Sequence, residues 1–515
     1  MGVAEHLAQW GSRLELDDVP GRVVSFARSQ LVSQLAAARA ALSHPLGERL
    51  VRAFGDPLQD DPRRAAYALA ALTVCLDFDD TAYAGHVSHS AVNVPLAYAG
   101  ALGLDGRALL TASIAANECA ARVTAAATLG PFRGQTAAHA HLAGSVAGRM
   151  RAEGAPAQTW TDALGIAFAM PPWSLERAFL ASDAKALVAS VPIAMGLDAC
   201  DAAAAGLGGA PDVLEHPGGF LARFADVPLP EAATRGLGEA WHTETLSFKL
   251  FPVSAYISSA IDCAAELHER LAGVDAGEIE EVVLLGSLLT VALAARVEPG
   301  APPPSATTLS FSAPYAVAVA LLTGGFDAHD LAEPRVAERV RWELAERVRV
   351  EHDTDQTRRA VAGTAPLGQA LRQAGERAGA WARAQGGDEG ERLVTGLGDP
   401  EPDFTGASKT IGARLRVRLR DGTELEAARE RALGAAGPET AAAHPELVRR
   451  KFLATGGSPA AAGALARVDE LGPAELLKTI RLALRGEAPG PAYAGSASTG
   501  QADATSSSVT RSPTS

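Results

Sequence analysis

Among its charged residues this 515-residue chain is poorest in lysine, with five at positions 185, 249, 409, 451 and 478 against 46 basic side chains in all. Arginine supplies the rest. Aromatic residues make up 5%, and the four cysteines (Cys75, Cys119, Cys200 and Cys263) are far apart with no C-x-x-C pair. That excludes a disulfide frame and points to buried thiols in a reducing cytoplasm. No stretch reaches about 18 uninterrupted apolar residues, so no membrane span is expected. The acidic, amphipathic N-terminus has no signal-peptide core. A net charge of −14 without a basic stripe argues against a nucleic-acid partner. There is no G-x-S-x-G, no phosphate-binding P-loop and no dinucleotide fingerprint; "GLGGAP" at 206–211 lacks the strand that such a fingerprint needs before it.

What the chain does have is alanine, and 47% hydrophobic residues to build a large core. That mixture favours close-packed helices. "PGRVVSFARSQLVSQLAAARAAL", "DPRRAAYALAALTVCLDF" and "GRALLTASIAANECAARVTAAATL" carry helical periodicity, and "DDPRRA" and "DGRALL" are capped starts. Beyond "KLFPVSAYISSAIDCAAELHERL" the texture changes. "GEIEEVVLLG", "AERVRVEH" and "GARLRVRLRDGTELEAA" contain strands, the last two with period-two alternation and "RDGTE" as a hairpin turn. The expected class is mainly α: a helical domain at 1–252, closed by C-terminal helices at 435–486, with an inserted α+β lid at 253–434. Within the lid, 353–405 is polar and glycine-rich and reads as an insertion with one helix and mobile flanks. The tail at 487–515 is rich in Ser, Thr, Gly and Pro and is expected to be disordered.

One stretch stands out, "CLDFDDTAYAGHVSHS" at 75–90. Asp77, Asp79 and Asp80 crowd the end of a helical run, where the macrodipole disfavours acids by about 0.3–1 kcal/mol each. Asp77, Asp80 and Thr81 would share one helix face. His86 and His89 come next, and His139 and His141 form a second tight pair. These groups suit metal binding, orientation of substrate carboxylates, or proton transfer near neutral pH. Lys185 and Lys249 are lone cations in apolar surroundings, either snorkelling to solvent or clamping an anion. Tyr315, at the start of an apolar helix, is either a core aromatic or a site residue.

"LDFDDT" (76–81), "AANECAARV" (115–123), "SDAKALVASVPIAMGLDACDAAAAGLGGAPDVLEHPGGFLARFA" (182–225), "SFKLFPVSAYISSAIDCA" (247–264), "SFSAPYAVAVALLTGGF" (310–326) and "ARLRVRLRDGTE" with "PELVRRKFLATGG" occur in this order. Together they resemble the MmgE/PrpD family, which includes 2-methylcitrate dehydratase, cis-aconitate decarboxylase and iminodisuccinate epimerase. The resemblance implies a helical domain with an α+β lid, a homodimer, no metal or organic cofactor, and an active site between the two domains. It implies that Asp77 and Thr81 belong to the pocket, that Lys185 and Lys249 bind substrate carboxylates, and that Tyr315 is the lid's contribution. Two departures concern the acid/base groups. Either His86 or His89 stands for the family's histidine after "DFDDT", and Gln135 stands where another is common, so that His139 or His141 takes its place in a shifted register.

The expectation is a hydro-lyase acting on a citrate-like or alkylcitrate-like di- or tricarboxylate, 2-methylcitrate dehydratase-like, with no nucleic-acid or membrane partner. Decarboxylation of the cis-aconitate type and epimerisation need the same stabilised carbanion and are the alternatives within the family. Outside it, the rivals are a metal-dependent lyase using Asp79, His86, His89 and His141, and a non-catalytic helical scaffold. Lys185 and Lys249 are expected to point into one cleft.

Overall fold

The computed structural model describes residues 1–131, 138–293 and 304–485. The protein is mainly helical, with 62% helix and 7% strand. The tail at 487–515 and Gln135 lie outside the described residues.

Helix starts obey local chemistry. Asp61 accepts from the amides of Arg63 and Arg64 and opens Pro62–Cys75, with proline at the first helical position. Asp105 does the same for Gly106–Ala127. Both helices are buried along most of their length, because alanine lets neighbouring backbones approach closely. The C-terminal helices Pro438–Ala454 and Pro473–Arg485 fold back onto Gly21–Leu42. Asp183–Ala204 is long and apolar enough to cross a membrane, yet over half of it is buried here. Its main helix, Ser190–Ala204, packs against Pro62–Cys75, Ala140–Ala152 and Ala157–Ala167.

A two-stranded ladder pairs β1 (Asp80–Thr81) antiparallel with β2 (Ser247–Phe248), setting Asp80 opposite Phe248 and Thr81 opposite Ser247. The larger sheet has the order β4–β3–β5–β6, formed by β3 (Ile279–Gly286), β4 (Val348–His352), β5 (Ala413–Leu419) and β6 (Glu424–Arg429). β3 runs parallel to β4 and antiparallel to β5, and β5 pairs antiparallel with β6. Along β5, Ala413, Leu415, Val417 and Leu419 are buried while Arg414, Arg416 and Arg418 face out, the period-two alternation of a sheet with one wet face. The buried face lies against Ser258–Arg270, which packs in turn on Ala313–Thr323.

Segment 353–405 departs from the expectation of one helix with mobile flanks. It contains Thr354–Ala362, Gln369–Ala374 and Glu376–Val394. Ala370, Ala374, Ala378 and Ala382, four residues apart, join Leu371 and Trp381 in the same hydrophobic cluster as the N-terminal helices. The glycines and charges between them mask a helical apolar face.

Candidate active site

The helix Pro62–Cys75 ends at Leu76, and Asp77 turns the chain away with φ of 53°. A non-glycine residue in the left-handed region costs on the order of 1–3 kcal/mol, least for Asp and Asn. The expected sharing of a helix face by Asp77, Asp80 and Thr81 is therefore not realised: Asp80 and Thr81 lie in β1, beyond the turn. The turn sends the Asp77 carboxylate back under the helix end. Lys185 Nζ meets it there at 2.5 Å and adds a longer bond of 3.3 Å to the Val74 carbonyl, which also accepts from the Asp77 amide at 3.0 Å.

The β1–β2 ladder delivers Lys249. One residue past Phe248, its Nζ donates to the Asp77 carbonyl (3.0 Å), to Asp77 Oδ2 (2.8 Å) and to Asp79 Oδ1 (2.8 Å). Those contacts use all three ammonium protons. Lys185 and Lys249 thus converge, both buried, and the anion between them is the protein's own Asp77.

Asp79 is also the anchor of the histidines. Its Oδ2 lies 2.7 Å from His86 Nδ1 and 3.1 Å from His89 Nε2. With its proton on Nε2, His89 donates to Asp79 and accepts at Nδ1 from the Thr73 hydroxyl, 2.9 Å away. Burial lowers the pKa of His89 despite the opposing charge of Asp79, so its ring is neutral. His86 differs in being 30% exposed, and its Nδ1–H on Asp79 leaves Nε2 as the accepting nitrogen. Asp79, His86 and His89 offer ligand atoms within 4.8 Å of one another, a set that suits a divalent cation. Here those atoms are bonded to each other and Lys249 holds the second Asp79 oxygen, the pattern of a carboxylate orienting imidazoles.

Two lysines overlooked in the sequence complete the cluster. Lys451, on Pro438–Ala454, donates to the Phe78 carbonyl at 2.6 Å and to Ser33 Oγ at 3.0 Å, with its ammonium 4.2 Å from the Phe78 ring centroid. Lys409 donates to Thr81 Oγ at 2.9 Å. Four of the five lysines are therefore buried around 77–81, while Lys478 is exposed. The scarcity of lysine was the signal that would have found all four.

Burial opposes ionisation throughout, and the local charges decide each outcome. Burial pushes the Asp77 carboxyl up, but Lys185 and Lys249 outweigh it and hold the pKa at about 2. Asp79 is likewise held well below the usual carboxylate range despite burial, by the imidazole of His86 that donates to it, by the charge of Lys249 and by the contact with His89. Asp80 is pushed up to about 6 by burial and by the charge of Asp79, although it accepts from Ser88 Oγ and from Gln34 Nε2. Burial brings Lys451 down to about 7; burial and then Lys249 bring Lys409 down to about 8.

The remaining expected residues stand at different distances from this centre. The His141 ring lies 5.7 Å from that of His89, with Nδ1 at 3.0 Å from Ser90 Oγ, and so forms the rear of the cluster. His139 faces away: its Nε2 meets the Pro172 carbonyl and its ring packs edge-on against Phe220 and Phe224. Tyr315 is buried in the second hydrophobic cluster, its hydroxyl donating to the Asp330 carbonyl at 2.7 Å. Between Thr81, Lys249, Ser258, Lys409 and Leu433 lies a cavity of about 20 Å³, room for about one water molecule.

Residues 5–232 match the family model described as the MmgE/PrpD N-terminal domain, and residues 251–387 match the MmgE/PrpD C-terminal domain. No curated protein matches the chain. Lys185 falls in the first segment, Lys249 between the two, and Lys409 and Lys451 beyond them.

Proposed function

The chain belongs to the MmgE/PrpD family, and on that premise we propose that it is a cofactor-independent hydro-lyase acting on a citrate-like or alkylcitrate-like polycarboxylate. The observation that carries this reading is a partly exposed imidazole, His86, backed by a buried carboxylate and set beside a cluster of buried ammonium groups. Family members are mostly lyases and dehydratases.

Removing a proton α to a carboxylate builds a dianionic aci-carboxylate, and fixed cations in a dry site stabilise that charge where it develops. Lys185 keeps one ammonium proton beyond its two bonds to the described residues, and Lys409 keeps two. The base is His86. With a pKa of about 2, Asp77 is too weak to accept such a proton, and its role is to hold Lys185 and Lys249 in register. The Nε2 of His86 takes the α-proton as the C=C bond forms. The imidazolium returns that proton to the departing hydroxyl, which leaves as water. Decarboxylation and epimerisation share the first charge build-up and differ in the second step.

Incubation in deuterium oxide with citrate, 2-methylcitrate, cis-aconitate and iminodisuccinate tests this directly. The expected result is alkene formation, seen by ultraviolet absorbance, from an alkylcitrate or citrate, and its persistence after chelation. Release of carbon dioxide, or deuterium exchange without an alkene, would move the assignment to the decarboxylase or epimerase. No reaction and no binding with any of the four would overturn it. The same reading makes the working unit a homodimer, which sedimentation equilibrium checks.

A further inference from the structure

We propose that Lys409, Ser258 and the first turn of the helix Ser258–Arg270 form an anion subsite that seats one carboxylate of the substrate. The identity of that anion rests on the polycarboxylate reading; the subsite itself rests on geometry and charge.

Four buried ammonium groups surround three carboxylates, Asp77, Asp79 and Asp80. Lys185 and Lys249 meet Asp77, and Lys249 also meets Asp79. Lys451 is answered by the Phe78 carbonyl, the face of its ring, and Ser33. Lys409 meets only a neutral hydroxyl, that of Thr81, and forms no ion pair with a described residue. A buried charge without a counter-charge costs several kcal/mol, and an arriving anion removes that cost.

The cavity beside Lys409 is lined for an anion. Its lining residues include Lys409, Thr81, Ser247 and Ser258, with Lys249 already committed to Asp77 and Asp79, and no acidic residue is among them. Ser258 is 5% exposed, and its Oγ has no hydrogen-bond partner among the described residues. It is also the first residue of a 13-residue helix, at the positive end of its dipole, where the Ala260 and Ile261 amides already meet the Ile257 carbonyl and only the amides ahead of them can serve a ligand. The orphaned hydroxyl, helix terminus and uncompensated ammonium therefore line one small space, which at about 20 Å³ holds one oxygen of an anion as it stands and widens to take a whole carboxylate. The lowered pKa of Lys409 fits an ammonium awaiting its anion. Lys409 lies beyond residue 387, outside both matched family segments.

The test uses the full-length protein with inorganic phosphate and, separately, citrate, comparing wild type with Lys409→Met and Ser258→Ala. Phosphate is expected to raise the melting temperature of the wild type. Lys409→Met is expected to raise the ligand-free melting temperature and lose the phosphate shift, because it removes an uncompensated charge. A purely structural Lys409–Thr81 bond predicts a lower ligand-free value instead, which would overturn the subsite. Ser258→Ala, a milder change, should leave the ligand-free value unaltered and shrink the phosphate shift, and it decides the matter should Lys409→Met not fold. Citrate affinity should fall about 10–150-fold in Lys409→Met. No phosphate shift in the wild type, or an equal shift in all three proteins, overturns the subsite. Lys409-dependent phosphate binding without any citrate binding supports the subsite and sinks the polycarboxylate function; citrate turnover indifferent to Lys409→Met does the reverse.

Discussion

Two buried ion clusters in this molecule are built from different cations. In the sheet region, Asp330 accepts from Arg341 at 2.7 Å and from Arg335 at 3.0 Å, Arg341 also holds Glu338 at 2.7 Å, and the amide of Asp327 closes the second Asp330 oxygen at 2.7 Å. Around 77–81 every cation is a lysine. An arginine fork stays charged and spends its donors in fixed directions, which suits a permanent staple. Arg122 serves the same end, tying the carbonyls of Arg235, Gly236 and Ala240 together beside Glu118. A lysine is a point charge whose pKa moves, and Lys409 and Lys451 have moved to about 8 and about 7. In a chain that uses arginine almost everywhere, four of the five lysines are gathered around 77–81, where two of them have lowered pKa values.

The sharpest way to separate chemistry from scaffolding is His86→Asn. The side chain is partly exposed, bonds to Asp79 and stacks on the His89 ring, so the expected loss of stability is about 1 kcal/mol. Turnover should fall about 10²–10⁴-fold, the usual worth of a positioned acid–base group. Steady-state kinetics alongside urea unfolding reads both, and near-native turnover would remove His86 from the mechanism.

Next in size is a matched pair across the two clusters. Lys249→Ala leaves Asp77 and Asp79 short of a buried counter-charge, and Arg341→Ala does the same to Asp330. Each should cost about 3–5 kcal/mol in urea unfolding. Measured per folded molecule, turnover should vanish only in the first. Loss of turnover in folded Arg341→Ala would end the distinction between a working cluster and a structural one.

These experiments turn on residues that were unequally visible in the sequence. The helix caps Asp61 and Asp105 and the alternating strand Ala413–Leu419 obey short-range rules, and they stand where those rules put them. The acid-histidine stretch was visible as an oddity, but its geometry was not. The helical period runs up to Asp77, where the backbone is left-handed; aspartate tolerates that conformation better than most residues, but with three aspartates in four positions nothing local says which one turns. Lys409 lies 328 residues from Thr81, and Lys451 lies 373 from Phe78. Such pairings are set by how helices stack, which local pattern does not encode. What did survive in the sequence was rarity: the lysines are few and most of them meet.

Acid unfolding probes the same contrast more gently. Asp77 has a folded pKa of about 2 against an ordinary value of 3.8, so its pairing adds stability that is fully present above about pH 4 and is lost as the pH falls through about 2. The expected loss is about 2 kcal/mol. Asp80 works in the opposite sense: raised to about 6, it makes the fold more stable as pH falls from 6 to 4. Urea midpoints should therefore rise as the pH falls from 6 to 4, by at least as much as they drop below 4, and Asp77→Asn should flatten the drop. A drop that persists unchanged in Asp77→Asn would place the acid-sensitive groups elsewhere.

The smallest effect expected is at Tyr315, and it tests the boundary of the working cluster. Family resemblance makes this tyrosine the lid's contribution to the pocket, whereas the structure buries it against Phe326 and Trp342 with its hydroxyl on the Asp330 carbonyl. Its pKa is pushed up to about 12, chiefly by burial, so the phenol stays protonated and serves as a hydrogen-bond donor. Tyr315→Phe deletes one buried neutral hydrogen bond, worth about 1 kcal/mol, and keeps the ring packing that the bulk of the side chain supplies. Thermal unfolding should show that modest loss, and turnover at saturating substrate should stay within about twofold of wild type, because the arginine staple still holds Asp330. A tenfold fall in turnover with the fold intact would mean that the sheet region closes further onto the lysines during the reaction than it does here. The two clusters would then be one machine, with Tyr315 as the link between them.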